Sequence, residues 1–306
     1  MATTPTRSQV HVDAAMSNIS IAYRNANYIG PQVFPIVPVQ KQSDKYFIFD
    51  KADWFRNEAG PRAPGTRGPV VEYSLSTGTY ACEEIAAAKI VTDEAVENAD
   101  NPLRPRQEAV EFATDKVMLN AEATIAGVVF GAGWTSSATP GTTWDDDASD
   151  PITDVEVGKE TVVGLIGREA NTMVIGRNVW TDLKQHPDLL DRIKYTQTGI
   201  MTPELLRQLF GVEKLLIGNA IYDSGVESPT TSSYGFLWGK HAWLGYVSPT
   251  PGLMTPSAGY LITWKNRVVE RYRMDIEKAD FVRVIWNYVT KSTAADAGYL
   301  FKSCVA

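Results

Sequence analysis

The sequence predicts an α+β fold in which an N-terminal arm and an extended β-hairpin loop precede a long helix, a sheet and an α/β subdomain. Three observations support this prediction. Pro31, Pro35 and Pro38 are spaced through an apolar run. Because proline cannot donate to a sheet ladder, this run should form an extended arm or an edge strand. A long loop that carries Arg56, Arg62 and Arg67 has little apolar content of its own, and a helical period then runs over Pro102–Phe130.

The arm and the loop are expected to contact other molecules. Residues 1–49 are predicted to form the arm and the first strand, and residues 50–80 the extended loop. Tyr46–Phe49 is rich in β-formers, and Val70–Tyr80 has the period of a half-buried strand, so the two should form the sides of a long hairpin. Long loops are uncommon unless they are functional. A protruding loop of this kind cannot easily bury itself in its own domain, which favours an assembling protein over a free-standing enzyme.

Residues 81–133 are predicted to hold a strand at Glu83–Val91, a short helix and the long helix. Thr92 and Asp93 are plausible N-caps of the short helix. The long helix, Pro102–Phe130, has prolines at its start and glycines after its end. Its predicted apolar stripe recurs at three- and four-residue spacing and consists of Val110, Ala113, Val117, Ala121, Thr124 and Val128.

The rest of the chain divides into an α/β subdomain at residues 134–255 and C-terminal strands at 256–306, with the polar segment Trp134–Pro151 at the boundary. The alternation of helices and strands predicts a central sheet. Helices are expected at Ile152–Gly167, around Val179–Lys184 and at Thr202–Phe210, and strands at Thr172–Ile175 and Lys214–Gly218. Further strands are expected at Tyr234–Trp238, Ala242–Val247, Tyr260–Trp264, Arg267–Ile276, Phe281–Thr290 and Tyr299–Val305, with a hairpin turn at Asp275–Asp280.

Composition limits the class of protein. The net charge of −7 argues against a general nucleic-acid binder, which usually carries a basic face. Cys82 and Cys304 lie far apart, and reduced thiols are expected. The start of the chain lacks a signal peptide, and no apolar run approaches the roughly 20 residues that span a bilayer. A soluble protein that is intracellular when synthesised is expected.

No catalytic, cofactor-binding or metal site is predicted, because no HExxH, CxxC, GxSxG or nucleotide-binding P-loop pattern occurs. His11, His186 and His241 are expected to be structural. The acidic cluster Asp145, Asp146, Asp147 and Asp150 could offer oxygen ligands to a hard cation, but a solvated loop that caps the next helix is favoured. Most tryptophans are expected to be core and interface anchors rather than sugar platforms.

The residues singled out for inter-subunit contact lie on the loop and at the foot of the long helix. Arginines on the loop can pair with carboxylates of an adjacent copy in bidentate geometry, and the acids of Asp93–Asp100 are the expected partners. The candidates are Arg56, Arg62, Arg67, Trp54, Phe55, Asp93, Glu94 and Glu97.

In their order, these elements resemble the major capsid protein of tailed bacteriophages, with the Hong Kong 97-type fold that encapsulins also use. Short sequence segments are similar to one branch of phage capsid sequences: NYIGPQVFPIVPVQKQSDKYFIFDK, FRNEAGPRAPG, DEAVENADNP, WDDDASDPITDV, and WGKHAWLGYV followed by GLMTPSAGY. The resemblance covers nearly the whole chain. It implies that 81–133 is a peripheral subdomain with a spine helix, that 134–255 is an axial subdomain, and that 256–306 returns to the peripheral subdomain.

The resemblance further implies a shell subunit that forms hexamers and pentamers of an icosahedral virion capsid, assembled in the host cytoplasm. The shell would enclose double-stranded DNA and contact it non-specifically. A separate scaffolding protein is implied, because fewer than thirty residues precede the prolines of the arm. A portal is a further implied partner, a decoration protein is left open, and no membrane partner or covalent cross-link is expected.

Two other classes stay open at this point. A nanocompartment shell shares the fold and would enclose an enzyme instead of DNA. A carbohydrate-active enzyme would need two carboxylates roughly 5 to 10 Å apart in a cleft, which a sequence cannot show.

Overall fold

A computed structural model of the chain describes residues 25, 27–100, 103–193, 200–225, 233–252 and 254–306. His11, Pro102 and the arm before Asn25 lie outside the described residues. The described part is an α+β fold, which confirms the predicted class, and its strands form two larger sheets and two hairpins.

The elements are numbered in chain order. The helices are α1 (Gly30–Val33), α2 (Lys51–Phe55), α3 (Asp93–Glu97), α4 (Pro105–Val129), α5 (Pro151–Ile166), α6 (Arg177–Leu183), α7 (Pro187–Ile193) and α8 (Pro203–Leu209), with a 3₁₀ turn at Ala295–Ala297. The strands are β1 (Ile36–Pro38), β2 (Ser43–Phe49), β3 (Leu75–Ala81), β4 (Glu83–Thr92), β5 (Ser136–Ala138), β6 (Thr172–Gly176), β7 (Lys214–Gly218), β8 (Ile221–Asp223), β9 (Tyr234–Phe236), β10 (Ala242–Gly245), β11 (Gly259–Met274), β12 (Ala279–Ser292) and β13 (Gly298–Phe301).

The four-stranded sheet has the order β1-β11-β12-β4. β1 runs parallel to β11, and the other neighbours are antiparallel. The strands predicted at Tyr260–Trp264 and Arg267–Ile276 are one strand, β11, whose pairing with β12 shifts register between Thr263 and Lys265 and again between Lys265 and Val268. An irregularity of this kind interrupts the side-chain alternation, so the pattern indicated two strands where one exists.

The long helix α4 packs on β4 and β12. Its 25 residues give a length of roughly 37 Å at about 1.5 Å per residue. The buried stripe is shifted by one residue from the predicted one at several positions: Val110 and Val128 are only partly buried and Thr124 is exposed. The buried apolar positions are Ala109, Ala113, Val117, Ala121, Ile125, Ala126 and Val129, and Glu122 is buried beside them. The helix therefore meets the sheet mainly through small side chains, which permit a close approach.

The five-stranded sheet has the order β5-β13-β10-β6-β7, with α5, α6 and α8 packed against its strands. Its core contains Trp144, Trp238 and Trp243, all fully buried. Asp150 caps α5 and Thr92 caps α3, as predicted. Both cysteines are buried free thiols, also as predicted.

The last strand and the segment before α8 also differ from the prediction. The final strand β13 does not return to the four-stranded sheet with β11 and β12, because it pairs with β10 and β5 in the other sheet and buries Tyr299, Leu300 and Phe301 there. The segment between the helices predicted around Val179–Lys184 and at Thr202–Phe210, where no helix was expected, contains α7, which Pro187 begins and which buries Leu189 and Ile193 one turn apart. The division of the chain into five segments stays a prediction.

Candidate inter-subunit surface

The extended loop connects the two strands of an antiparallel hairpin, as predicted. β2 pairs with β3 from Ser43 opposite Ala81 to Phe49 opposite Leu75. An isolated two-stranded hairpin is at best marginally stable in water. A cleft of about 1200 Å³ separates it from the body of the chain, lined on its two sides by residues such as Phe47 and Met254. The hairpin therefore lacks close packing against its own subunit along this face.

The loop exposes many large apolar side chains. Their exposed fractions run from 49% for Leu75 to 72% for Val70. The others on the loop are Trp54, Phe55, Val71 and Tyr73, and Phe47 on β2 is similarly exposed. Exposed apolar side chains that lie together mark interaction sites in proteins, so the loop is the candidate contact surface.

Local contacts hold the apolar side chains in place at the base of the loop. The ring of Trp54 meets Phe49 edge-on at 6.2 Å, and Tyr73 lies 5.9 Å from the same ring. The Asp53 carboxylate accepts hydrogen bonds from the Ser74 N–H (2.7 Å) and hydroxyl (2.8 Å), which lower the pKa of Asp53. These contacts close the loop at its base and leave the outer side chains free to meet a partner.

The arginines predicted as contact residues differ in their surroundings. Arg56 lies 2.9 Å from Glu58 and 3.9 Å from Asp53 of its own loop. Arg62 and Arg67 are exposed and form no ion pair with any residue that the structure describes. The side chains of Arg62 and Arg67 are thus available to pair with a carboxylate of another molecule.

The acids expected to pair with the loop are not brought to it within one subunit. Asp93 accepts two hydrogen bonds from Arg273, at 2.7 and 2.6 Å, which lower the pKa of Asp93. Glu94 and Glu97 are exposed and make no ion pair within the described part of the chain. Asp93 is therefore already engaged, while Glu94 and Glu97 are open to a partner.

A cluster that the sequence analysis missed lies beside Asp93. Asp280 is buried, and its Oδ2 lies 2.8 Å from both Arg106 and Arg271, with Arg273 3.7 Å from Oδ1. Burial opposes ionisation of Asp280, but the hydrogen bonds from Arg106 and Arg271 keep its pKa below the usual value. Arg271 and Arg273 are two residues apart on β11, so the sequence could have indicated that both lie on one face of the sheet. No pattern in the sequence connects them to Arg106, which lies on α4.

The two histidines that the structure describes, His186 and His241, make hydrogen bonds to neighbouring residues of the fold. His186 Nε2 lies 3.0 Å from the Ser149 hydroxyl, and His241 Nδ1 accepts the Ser303 N–H at 2.9 Å. Within the described ranges, no group of three or more His, Cys, Asp or Glu residues could hold a metal ion. None of the helices described has the length and apolar character needed to cross a membrane.

Comparison with known proteins gives relatives for nearly the whole chain. Known protein-family models give no match. The chain is 31% identical over 310 residues to the major capsid protein of Burkholderia phage BcepMu, covering 94% of this chain and 95% of that protein. It is 26% identical over 306 residues to the major capsid protein of Pseudomonas phage JBD67, covering 96% and 97%.

Solved structures agree with these relatives. A phage-related protein from Bordetella bronchiseptica matches with a TM-score of 0.71 at 26% identity, covering 92% of this chain and 94% of that one. The capsid of cyanophage P-SCSP1u matches with a TM-score of 0.65 at 11% identity, covering 98% of each chain. A virus-like particle from Pyrococcus furiosus matches with a TM-score of 0.57 at 10% identity, covering 89% and 91%.

The two weaker structural matches establish the fold, and the sequence relatives establish the family. Because the curated relatives are phage capsid proteins, the alternative of a nanocompartment shell is not favoured. The relatives indicate a structural role in a virion capsid, and the structural neighbours include assembled capsids. The chain belongs to the family of phage major capsid proteins and has the Hong Kong 97-type fold.

Proposed function

We propose that this subunit assembles as hexamers and pentamers into an icosahedral shell around double-stranded DNA, and that its loop over residues 50–80 contacts the neighbouring subunit. One observation carries the proposal: the apolar side chains of the loop, Phe55 and Val70 among them, are more than half exposed in the isolated subunit. Burial against a neighbour removes this surface from water, which is the main favourable term in association.

Charge supports the same contact and narrows its partners. Arg62 and Arg67 of one subunit would pair with Glu94 and Glu97 of the next, because these four side chains have no ion pair with a described residue of their own chain. Asp93 would instead keep its bidentate pair with Arg273. A bidentate arginine–carboxylate pair fixes orientation as well as adding energy.

The proposed shell has no catalytic role and assembles in the host cytoplasm with a separate scaffolding protein and a portal. The net charge of −7 fits a container for DNA. An acidic inner surface would bind the phosphate backbone weakly, since sequence-independent DNA binding depends on phosphate neutralisation by cations. Packaged DNA could then move along the inner surface.

The first experiment asks whether shells form. The full chain is expressed with and without its phage's scaffolding protein and examined by size exclusion and negative-stain electron microscopy. Closed particles or rings with five- or sixfold symmetry are expected, and nucleic acid in particles from infected cells is expected on a gel. A monodisperse monomer under every condition would contradict the proposal.

The second experiment tests the charged contact. The double variant Arg62→Ala, Arg67→Ala should reduce the yield or heat stability of particles while leaving the melting temperature of the unassembled subunit unchanged, because both side chains are exposed. Arg177→Ala is the matched control, since Arg177 is exposed and its side chain makes one long hydrogen bond of 3.4 Å, to Asn219, within the part of the chain that the structure describes. The charge-reversed combination of Arg62→Glu with Glu94→Arg or Glu97→Arg should restore assembly if the pairing is right.

A further inference from the structure

A buried carboxylate in the middle of α4 joins three separate segments of the chain. Glu122 is 1% exposed. Its Oε1 accepts the backbone N–H of Ile29 at 2.9 Å and the indole N–H of Trp238 at 2.8 Å, and its Oε2 accepts the N–H of Gly30 at 2.6 Å. No described lysine or arginine pairs with this carboxylate. Three N–H groups therefore supply the stabilisation that a buried charge requires.

The neighbouring glycines make room for this arrangement. A Cβ on Gly30 would lie 2.7 Å from both Glu122 Oε2 and Ile125 Cδ1, so any other residue here would require the ends of these two side chains to shift. A Cβ on Gly218, in β7, would collide with the Trp238 indole. The carboxylate and the indole thus each occupy space that a glycine leaves open.

The same stretch of chain is fixed at two further points. The Tyr28 hydroxyl donates to Asp115 at 2.7 Å, one to two turns before Glu122 on α4. The Asn25 side chain both donates to the carbonyl and accepts from the N–H of Ile221 in β8, each at 3.0 Å. Asn25, Tyr28, Ile29 and Gly30 are therefore held by side chains of α4 and by the edge of the β8–β9 hairpin.

We infer that Glu122 is a positioning residue that couples the end of the N-terminal arm to the Trp238 turn between β9 and β10, so that the two segments are released together when its carboxylate is lost. This role goes beyond shell formation, because it acts inside one subunit. Trp238 also meets Phe130 edge-on at 5.6 Å, beyond the last residue of α4. The junction consequently connects the arm, the long helix and the core of the five-stranded sheet.

Overall stability is a poor measure of this role. Burial raises the pKa of the Glu122 carboxyl, although the three N–H groups oppose the rise. Replacing Glu122 by glutamine removes a costly buried charge but also places an amide N–H against at least one of the three donors. These effects oppose each other in the melting temperature, whereas the local opening of the arm reports the lost acceptor directly.

The test is amide and indole hydrogen exchange, followed by NMR in the unassembled subunit. Glu122→Gln should speed exchange at the Ile29 or Gly30 amide and at the Trp238 indole by about tenfold or more, which is the scale of one lost hydrogen bond to a charged group. Amides elsewhere on α4 should keep their rates. Glu160→Gln, at an exposed glutamate on α5, is the matched control and should change none of these rates.

A second variant keeps the inference testable if Glu122→Gln does not fold. Trp238→Phe retains an aromatic ring and removes the indole donor together with part of the buried ring volume, so coupling requires faster exchange at Ile29 or Gly30 although the arm itself is unaltered. The effects of the two variants on the arm should also be non-additive, because both act through one carboxylate. Unchanged arm exchange in Trp238→Phe, or an effect of Glu122→Gln confined to one of the two segments, would overturn the inference.

Discussion

Replacing Trp54 and Phe55 together by serine should abolish or strongly weaken assembly without destabilising the subunit. Both side chains are on α2 at the base of the extended loop, and 54% of Trp54 and 64% of Phe55 are exposed. Their removal deletes the edge-on contact of Trp54 with Phe49 and the close approach of the Phe55 ring to Gly167.

The size of the effect follows from the exposed area. An aromatic side chain buries about 150–250 Å² when it is fully enclosed. The exposed parts of the two residues then offer on the order of 200 Å², and at about 25 cal/mol per Å² their full burial contributes about 5 kcal/mol to each contact. If only half of that area is buried in the contact, the two side chains contribute about 2.5 kcal/mol, and their removal weakens each contact by more than about tenfold. In a shell this loss recurs at every subunit.

The assay measures assembled particles and subunit stability side by side. Particle yield is read by sedimentation and electron microscopy, and chemical denaturation gives the free energy of unfolding of the subunit. Phe112→Ser is the matched control, because Phe112 is 52% exposed but lies on α4. Trp54→Ser, Phe55→Ser particles that equal wild type in yield and heat stability would refute the reasoning that this surface is an interface.

Two smaller predictions concern intrachain contacts. Asp93→Asn should reduce the loss of the free energy of unfolding that acid causes in the subunit. Arg273 lowers the pKa of Asp93 from 3.8, so the ion pair stabilises the fold above pH 3.8. This contribution is lost as the pH falls through the lowered pKa. An unchanged urea midpoint profile from pH 2 to 6 would contradict this. Gly218→Ala should cost about 1–3 kcal/mol by overpacking against Trp238, measured by thermal unfolding; Gly164→Ala, within α5 and with nothing within 4 Å of the added Cβ, should instead stabilise the subunit by about 0.5–1 kcal/mol.

Much of the fold could be predicted because local signals agree with it. Thr92 and Asp150 cap helices at the predicted positions, and Lys214–Gly218 is a strand with the predicted bounds. The pairing of Tyr46–Phe49 with the strand that ends at Ala81 also followed from alternation and from the turn-rich segment between them. These features depend on residues close together in the chain.

The features that could not be predicted depend on distant residues. The sheet to which β13 belongs is decided by its pairing with β10, about sixty residues earlier in the chain, and alternation carries no information about partners. The hydrogen bonds of Asp93 to Arg273 span 180 residues. The cluster of Arg106, Arg271 and Asp280 brings together residues whose spacing in the sequence follows no known pattern. For the same reason the sequence identified Asp93 as an acidic residue but could not show that it pairs with Arg273.

The geometry of the proposed contact also bears on why rings should close. The loop and the acids of α3 are different surfaces of one chain, so a loop that packs on the next copy makes a head-to-tail contact rather than a twofold one. Such contacts give closed rings when the rotation between copies closes, and open filaments when it does not. An open arc leaves one apolar loop uncovered, whereas a ring covers every loop. In the proposed contact, the exposed surface at Trp54 and Phe55 therefore favours closed rings over open arcs, and losing it should increase open fragments as well as reduce yield.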